Sequence, residues 1–405
     1  MAECFEYFLI NLVSLLNQHK THKMKQTIIN AQIILRDQIL KSEAIVLEDG
    51  YIVSIAPASV SGTNILDLKG AYLLSGFIDL HCDAIEGVIE PRIGVHFPLD
   101  FGIAQMDRIN AMAGITTSFN SISFASDEFG VRGLNMASNI VKAIKEQTGK
   151  SLVDNRIHCR YEITDPETLP VILELIDNDQ IDILSFMDHT PGQGQFKQTI
   201  DYVNYQRSNY HISLKEIESH LEKKNENRRA SAQRITQICE YARKRSIFLL
   251  SHDDDTPQRV SELKRLGVTI SEFPINLETA IEAKKQGMTT IFGAPNTLRG
   301  KSQSGSIKAI EAIEKKVADC LCSDYFPSSL MSAVFKLPDL LDITLCEAIN
   351  MATLNPANSV GLTDRGEIEV GQVADLVSVQ KIGDQHQVTS TWSRGEQVFV
   401  ANYNL

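Results

Sequence analysis

The middle of the chain alternates apolar runs with helical stretches eight times over, and few folds accept that pattern. The apolar runs are "GFIDLHCD" (76–83), "GITTSFNSISFA" (114–125), "RIHCRYEIT" (156–164), "IDILSFMDH" (181–189), "SIFLLSHDD" (246–254), "VTISEFP" (268–274), "TTIFGAPN" (289–296) and "ADCLCSDY" (318–325). They read as short strands. Between them lie helical patterns such as "GLNMASNIVKAIKEQT", "PQRVSELKRLG", "LETAIEAKKQG" and "SIKAIEAIEKKV". Eight β/α units in about 280 residues predict a (β/α)8 TIM-type barrel. A doubly wound sheet is the runner-up, but no G-x-G-x-x-G follows an early strand.

Both ends have a different texture. Short β-rich runs with turn punctuation occupy the start ("QTIINAQIIL", "EAIVLEDGYIVSIAP", "NILDLKGAYLL") and return at the end ("GEIEVGQVADLVSVQK", "VTSTWSRGEQVFVANY"). The expected organisation is a small β-sandwich-like domain built from 24–74 and 363–405, a barrel over 75–362, and an extension over 1–23. The extension contains "FLINLVSLL", which is too short to span a bilayer and lacks the basic start and small-residue cleavage site of a signal peptide. One connection, 197–245, is long enough for two helices and carries Tyr202, Tyr205, Arg207 and Tyr210 early. It reads either as a lid over the barrel mouth or as a solvated helical hairpin.

A net charge of -12 argues against nonspecific binding to nucleic acid or an anionic membrane. The seven scattered cysteines include no C-x-x-C pair and fit reduced thiols in a cytoplasmic protein. A small-molecule substrate is the expected partner, with a homo-oligomer left open.

Active sites of such barrels sit at the C-terminal ends of the strands. Polar residues gather there: His81 and Asp83, Glu162, Asp188 and His189, His252 followed by three aspartates, and Asp324. In a regular strand Phe77, Asp79, His81 and Asp83 share one face, and Ile78, Leu80 and Cys82 share the other. A lone strand-terminal histidine is usually a satisfied packing residue. Five strand ends bearing histidine or carboxylate suit a divalent cation such as zinc, manganese or iron. Adding Asp83 and Glu162 makes room for a second ion, and a carboxylate such as Asp324 beside metal-bound water can take its proton.

The loops hint at the substrate. "PRIGVHFP" carries Arg92, "HTPGQGQF" is a glycine-rich turn carrying Gln193, and "GAPNTLRGKSQSGS" carries Arg299 and Lys301. Glycine-rich backbone with Arg and Lys at a barrel mouth can bind phosphate groups. Each alone also reads as a turn with a solvated cation.

The stretches "GFIDLHCDAIE", "EPRIGVHFP", "SFMDHTPGQGQF", "LLSHDDDTP" and "GAPNTLRGKSQSG" resemble the PhnM family within the amidohydrolase superfamily, over about Met24 to Asn402. That family is the α-D-ribose 1-methylphosphonate 5-triphosphate diphosphatase of the carbon–phosphorus lyase pathway. The resemblance implies hydrolysis of a ribosyl triphosphate to the 5-phosphate and pyrophosphate by a metal-activated hydroxide. It implies His81, Asp83, Glu162, His189 and His252 as metal ligands, and Asp324 as base or additional ligand. Arg92, Arg299, Lys301 and Gln193 would meet the phosphates, and Glu86 and Asp253 would support the ligands, although Asp253 alternates away from His252 and can equally cap the next helix. Two rivals stand beside this reading. One is cleavage of a C–N bond by the same scaffold, as in a deacetylase, deaminase or cyclic amidase. The other is a noncatalytic binding protein, which predicts lost ligands where this sequence keeps them all.

Overall fold

The structure is a computed structural model that describes residues 25–57, 64–125, 130–190, 214–302 and 305–403. Seven strands come first: β1 Gln26–Ile29, β2 Gln32–Ile34, β3 Ile39–Leu40, β4 Glu43–Glu48, β5 Tyr51–Pro57, β6 Ile65–Asp67 and β7 Tyr72–Ser75. Eight more form the barrel: β8 Phe77–Cys82, β9 Ile115–Phe124, β10 Asp154–Glu162, β11 Ile183–Met187, β12 Phe248–His252, β13 Ile270–Glu272, β14 Thr289–Gly293 and β15 Cys320–Cys322. The last three are β16 Leu376–Ile382, β17 Gln385–Ser393 and β18 Glu396–Val400.

Strands β8 to β15 pair in chain order, every pair parallel. Seven fall within the apolar runs of the sequence, and β10 starts two residues before its run, at Asp154. The sheet closes at the mouth, where the Asp324 N–H donates to the His81 carbonyl at 2.9 Å and the Asp83 N–H to the Asp324 carbonyl at 3.0 Å. The buried Asp79 carboxylate reinforces this seam by accepting from the Ser323 N–H at 3.0 Å. The seam brings the two end strands of the sheet together, and most strand residues are buried on both faces.

Two apolar layers hold the barrel. Ile157, Cys159 and Tyr161 of β10, Leu184 and Phe186 of β11, and Ile140, Ile144, Ile172 and Ile176 of the outer helices form the layer outside the wall. Phe119, Ile183, Leu250, Ile270, Ile291 and Cys320 fill the interior. The alternation expected for β8 is broken. Ile78 and Leu80 pack inward with that interior group, whereas Cys82 packs with the outer layer. Register shifts after Phe77 and between Asp79 and Cys82 mark the irregularity. It lets Leu80 fill the barrel while the very next residue, His81, still reaches the mouth, so His81 and Asp83 do not share a face with Phe77 and Asp79. Irregular pairing of this kind re-aims side chains beside sites.

The remaining strands form two sheets, β5-β4-β1-β6 and β18-β17-β16-β7-β2-β3, the second joining both chain ends. Ile28, Ile33, Ile45, Leu47, Ile52, Leu73, Leu376 and Trp392 form their shared core. The Trp392 indole donates to Gln26 at 3.0 Å. Gly76 sits between β7 and β8, and an added Cβ there would collide with the Thr116 side chain, whose own Cβ is 2.8 Å away. That contact explains the glycine of "GFID".

The long connection resolves into helices Leu214–Arg229 and Ser231–Lys244. The second contributes Ile235, Ile238, Cys239 and Ala242 to the outer layer, so this half of the expected insertion is an ordinary barrel helix. Tyr202, Tyr205, Arg207, Tyr210 and Gln193 lie outside the described residues, as does the extension over 1–23. Among the described residues, no helix is long and apolar enough to cross a membrane.

Candidate metal centre

Strand ends deliver the side chains to one place. His81, Asp83 and Asp324 each offer an atom within 4.8 Å of the others, as do His189, His252 and Asp253. The first group joins the two strands of the seam, and the second joins the ends of β11 and β12. Asp253 and Asp324 both have left-handed backbones, φ 53° and 56°, as does Phe273 at 51° after β13. Aspartate tolerates this region better than most residues, but a phenylalanine there is a strained exception. The Phe273 ring stands edge-on to the imidazoles of His81 (5.0 Å between centroids) and His252 (5.3 Å). The left-handed turn also brings Asp253 toward His189 and His252. The following helix is capped instead by Thr256, whose side chain accepts from the Arg259 N–H.

Carboxylates hold the rings from behind. His81 Nδ1 lies 3.0 Å from Glu272 Oε1, and His252 Nδ1 lies 3.4 Å from Glu272 Oε2. His189 Nδ1 lies 2.9 Å from Glu162 Oε2. This is the arrangement by which a carboxylate fixes a metal-ligating imidazole. Glu162 also accepts from the Thr164 hydroxyl at 2.8 Å. It is thus placed against His189 and belongs to none of the three-residue groups, the third of which is His81, His158 and Glu272. Burial would raise its pKa, but the charge of Lys224 and the bonds from His189 and Thr164 hold it down to about 2.

The electrostatics favour a cation. Burial, with the Arg160 charge added, pushes His81 down to about 3, so its ring is neutral as a ligand must be. Burial likewise lowers His252 to about 3. Burial and the neighbouring Asp83 push Asp324 up to about 8, and burial raises Asp253 to about 6. Neutral imidazoles beside carboxyl groups that are too crowded to ionise freely are a donor set that a divalent cation would satisfy.

The other expected residues divide. Glu86 is a neighbour of Asp83 whose carboxylate is held by Arg132 at 2.8 Å. Asp188 is bonded to Arg228 at 2.8 Å and belongs to none of the ligand groups. Arg92, Arg299 and Lys301 are exposed, and Arg299 reaches Tyr325, the residue after Asp324, at 3.4 Å.

Three inward residues escape the strand-end reading. Glu272 ends β13 in the very position the barrel rule marks. Arg160 and His158 lie two and four residues before Glu162, so alternation alone turns them inward with it. His158 is fully buried, 2.9 Å from the Ser185 hydroxyl and 2.9 Å from the Leu80 carbonyl.

Residues 72–398 match the amidohydrolase family. The chain is 32% identical to the alpha-D-ribose 1-methylphosphonate 5-triphosphate diphosphatase of Escherichia coli K12 over 379 residues, 91% of this chain and 99% of that one. It is 25% identical to an imidazolonepropionase of Porphyromonas gingivalis over 377 residues, 83% of each chain. In fold it is similar to the N-acetylglucosamine-6-phosphate deacetylase of Pasteurella multocida, with a TM-score of 0.63 at 16% identity, covering 92% of this chain and 99% of that one. A 5-methylcytosine deaminase of Klebsiella pneumoniae gives a TM-score of 0.64 at 14% identity over 94% and 99%.

Proposed function

The chain belongs to the amidohydrolase family, and on that premise we propose that it hydrolyses α-D-ribose 1-methylphosphonate 5-triphosphate to the 5-phosphate and pyrophosphate. The observation that carries this reading is the near full-length likeness to the E. coli diphosphatase. The His/Asp groups at the strand ends supply the chemistry it needs. One or two divalent ions (zinc, manganese or iron) would be held by His81, Asp83, His189, His252, Asp253 and Asp324, with Glu162 fixing the His189 ring. Such an ion supplies Lewis acidity and lowers the pKa of water toward neutrality. Glu272 keeps the His81 and His252 rings in place. Asp324 accepts the proton of the attacking water. Oxygen from that water joins the ribosyl phosphate as the bond to the bridging oxygen breaks and pyrophosphate leaves. Arg92, Arg299 and Lys301 balance the charge of the triphosphate. The work is done in the cytoplasm, on a soluble phosphorylated metabolite.

The likeness to imidazolonepropionase favours a second reading, hydrolysis of a C–N bond on the same scaffold. A side-by-side assay separates the two. Metal-reconstituted protein is given the ribosyl triphosphate, ATP, imidazolonepropionate and an N-acetyl sugar phosphate. Chelator-sensitive pyrophosphate release from the ribosyl substrate is expected. Turnover of the amide or acetyl substrate alone would replace the first reading with the second.

A further inference from the structure

We infer that Arg160, deep inside the barrel, is a substrate-binding residue that grips a phosphate of the triphosphate at the reacting end. The inference deepens the triphosphate reading and rests on it. Arg160 is 7% exposed and projects from β10 on the same side as Glu162. Its guanidinium touches both ligand groups at once. Nη1 lies 3.6 Å from Asp83 Oδ2, and Nη2 lies 3.5 Å from His252 Nε2. It therefore stands between the two groups, where the reacting atoms of a bound substrate must lie.

Its bonding is unlike that of the structural arginines of this chain. Arg132 meets Glu86 at 2.8 Å, Arg228 meets Asp188 at 2.8 Å, and Arg365 meets Asp364 at 2.9 Å and Asp154 at 3.0 Å. Among the described residues, Arg160 makes no hydrogen bond of that length, and its Nε and Nη1 have no hydrogen-bond partner. Buried donors are rarely left so. Both of its near neighbours, the Asp83 carboxylate and the Nε2 of His252, are groups that a cation would claim. Committed to a cation, they no longer serve the guanidinium. An anion with several oxygens is the partner that would then satisfy it, and a planar guanidinium binds phosphate through two parallel N–H groups. The exposed Arg92, Arg299 and Lys301 would meet the outer phosphates, and Arg160 the inner one.

The test is calorimetric titration of inorganic pyrophosphate into the metal-loaded protein and into its R160Q and R160K forms, with metal content measured on the same samples. Expected is wild-type metal content in both variants. The Kd for pyrophosphate should rise about a hundredfold in R160Q and about tenfold in R160K, which keeps the charge but loses the fork. R160K covers the case in which R160Q does not fold. Pyrophosphate affinity equal to wild type in a metal-loaded variant would overturn the assignment of Arg160 and leave the triphosphate reading standing. Loss of metal in both variants would make Arg160 a counter-ion of the ligand groups and overturn the assignment as well. No pyrophosphate binding by the wild type would overturn both readings together.

Discussion

Glu272 is the residue whose replacement should reveal most about how the centre is held. It is fully buried at the end of β13 and spans two imidazoles, 3.0 Å from His81 Nδ1 and 3.4 Å from His252 Nδ1. Each ring lends a nitrogen to a different ligand group. In Glu272→Gln the side chain keeps its size, but only one of its two terminal atoms still accepts. The amide nitrogen then opposes a ring N–H where a carboxylate oxygen received it. Losing one hydrogen bond to a charged acceptor costs about 1.5–3 kcal/mol. At 1.4 kcal/mol per factor of ten this becomes a drop in metal affinity of roughly 10- to 150-fold. Carboxylates behind metal-ligating histidines typically contribute about 10- to 100-fold, so the two estimates agree. The assay is competition for the metal against a chromophoric chelator, with circular dichroism to confirm the fold. An affinity within threefold of wild type in a folded E272Q protein would refute the reasoning.

Further outcomes follow from the same geometry. Asp324→Asn should keep most of the metal but lower kcat by about a hundredfold or more, because proton transfer is lost. Parallel loss of metal would make Asp324 chiefly a ligand. Stability of the metal-stripped protein should fall from about pH 6.5 to 8. A carboxyl raised to about 8, as Asp324 is, stays protonated in the folded chain while the unfolded chain ionises near 3.8, so its stabilising contribution is lost as pH rises through that interval. Asp79 and Asp253, raised to about 6 by burial, have finished titrating below that window, and the histidines lowered to about 3 act in the opposite sense only below 6.5. The slope reaches at most about 1.4 kcal/mol per pH unit per proton, and Asp324→Asn should flatten it in thermal melts across the window. Arg365→Met should destabilise the fold by about 3–5 kcal/mol, since its buried guanidinium joins Asp154 and Thr117 of the barrel strands to Asp364 and Asp375 before β16. An unchanged denaturation midpoint would contradict that role.

Much of this architecture is legible in the chain. Eight apolar runs flanked by turns map onto eight strands because parallel barrel strands are buried on both faces. Both ends read as β-rich and do pair with each other in one sheet. Residue-level alternation failed where the strand itself is irregular. Nothing in "GFIDLHCD" marks the register shift that lets Leu80 and His81 both serve the interior, and the positive φ of Asp253 is equally silent in "SHDDD". Arg160 and Glu272 were hidden for another reason. Arg160 is neither histidine nor carboxylate, although the period-two rule turns it inward with Glu162, and Glu272 is followed by Phe273 and Pro274, which blur the end of its short strand.

The most direct test of the metal centre is elemental analysis of the purified protein beside His81→Ala, each after reconstitution and removal of loosely held ions. His81 belongs to the seam between β8 and β15 and touches Glu272. The account predicts one or two tightly held divalent ions per wild-type chain, and a clear loss in the variant together with its activity. Full metal content in a folded His81→Ala protein would contradict the claim that these strand ends hold the ion.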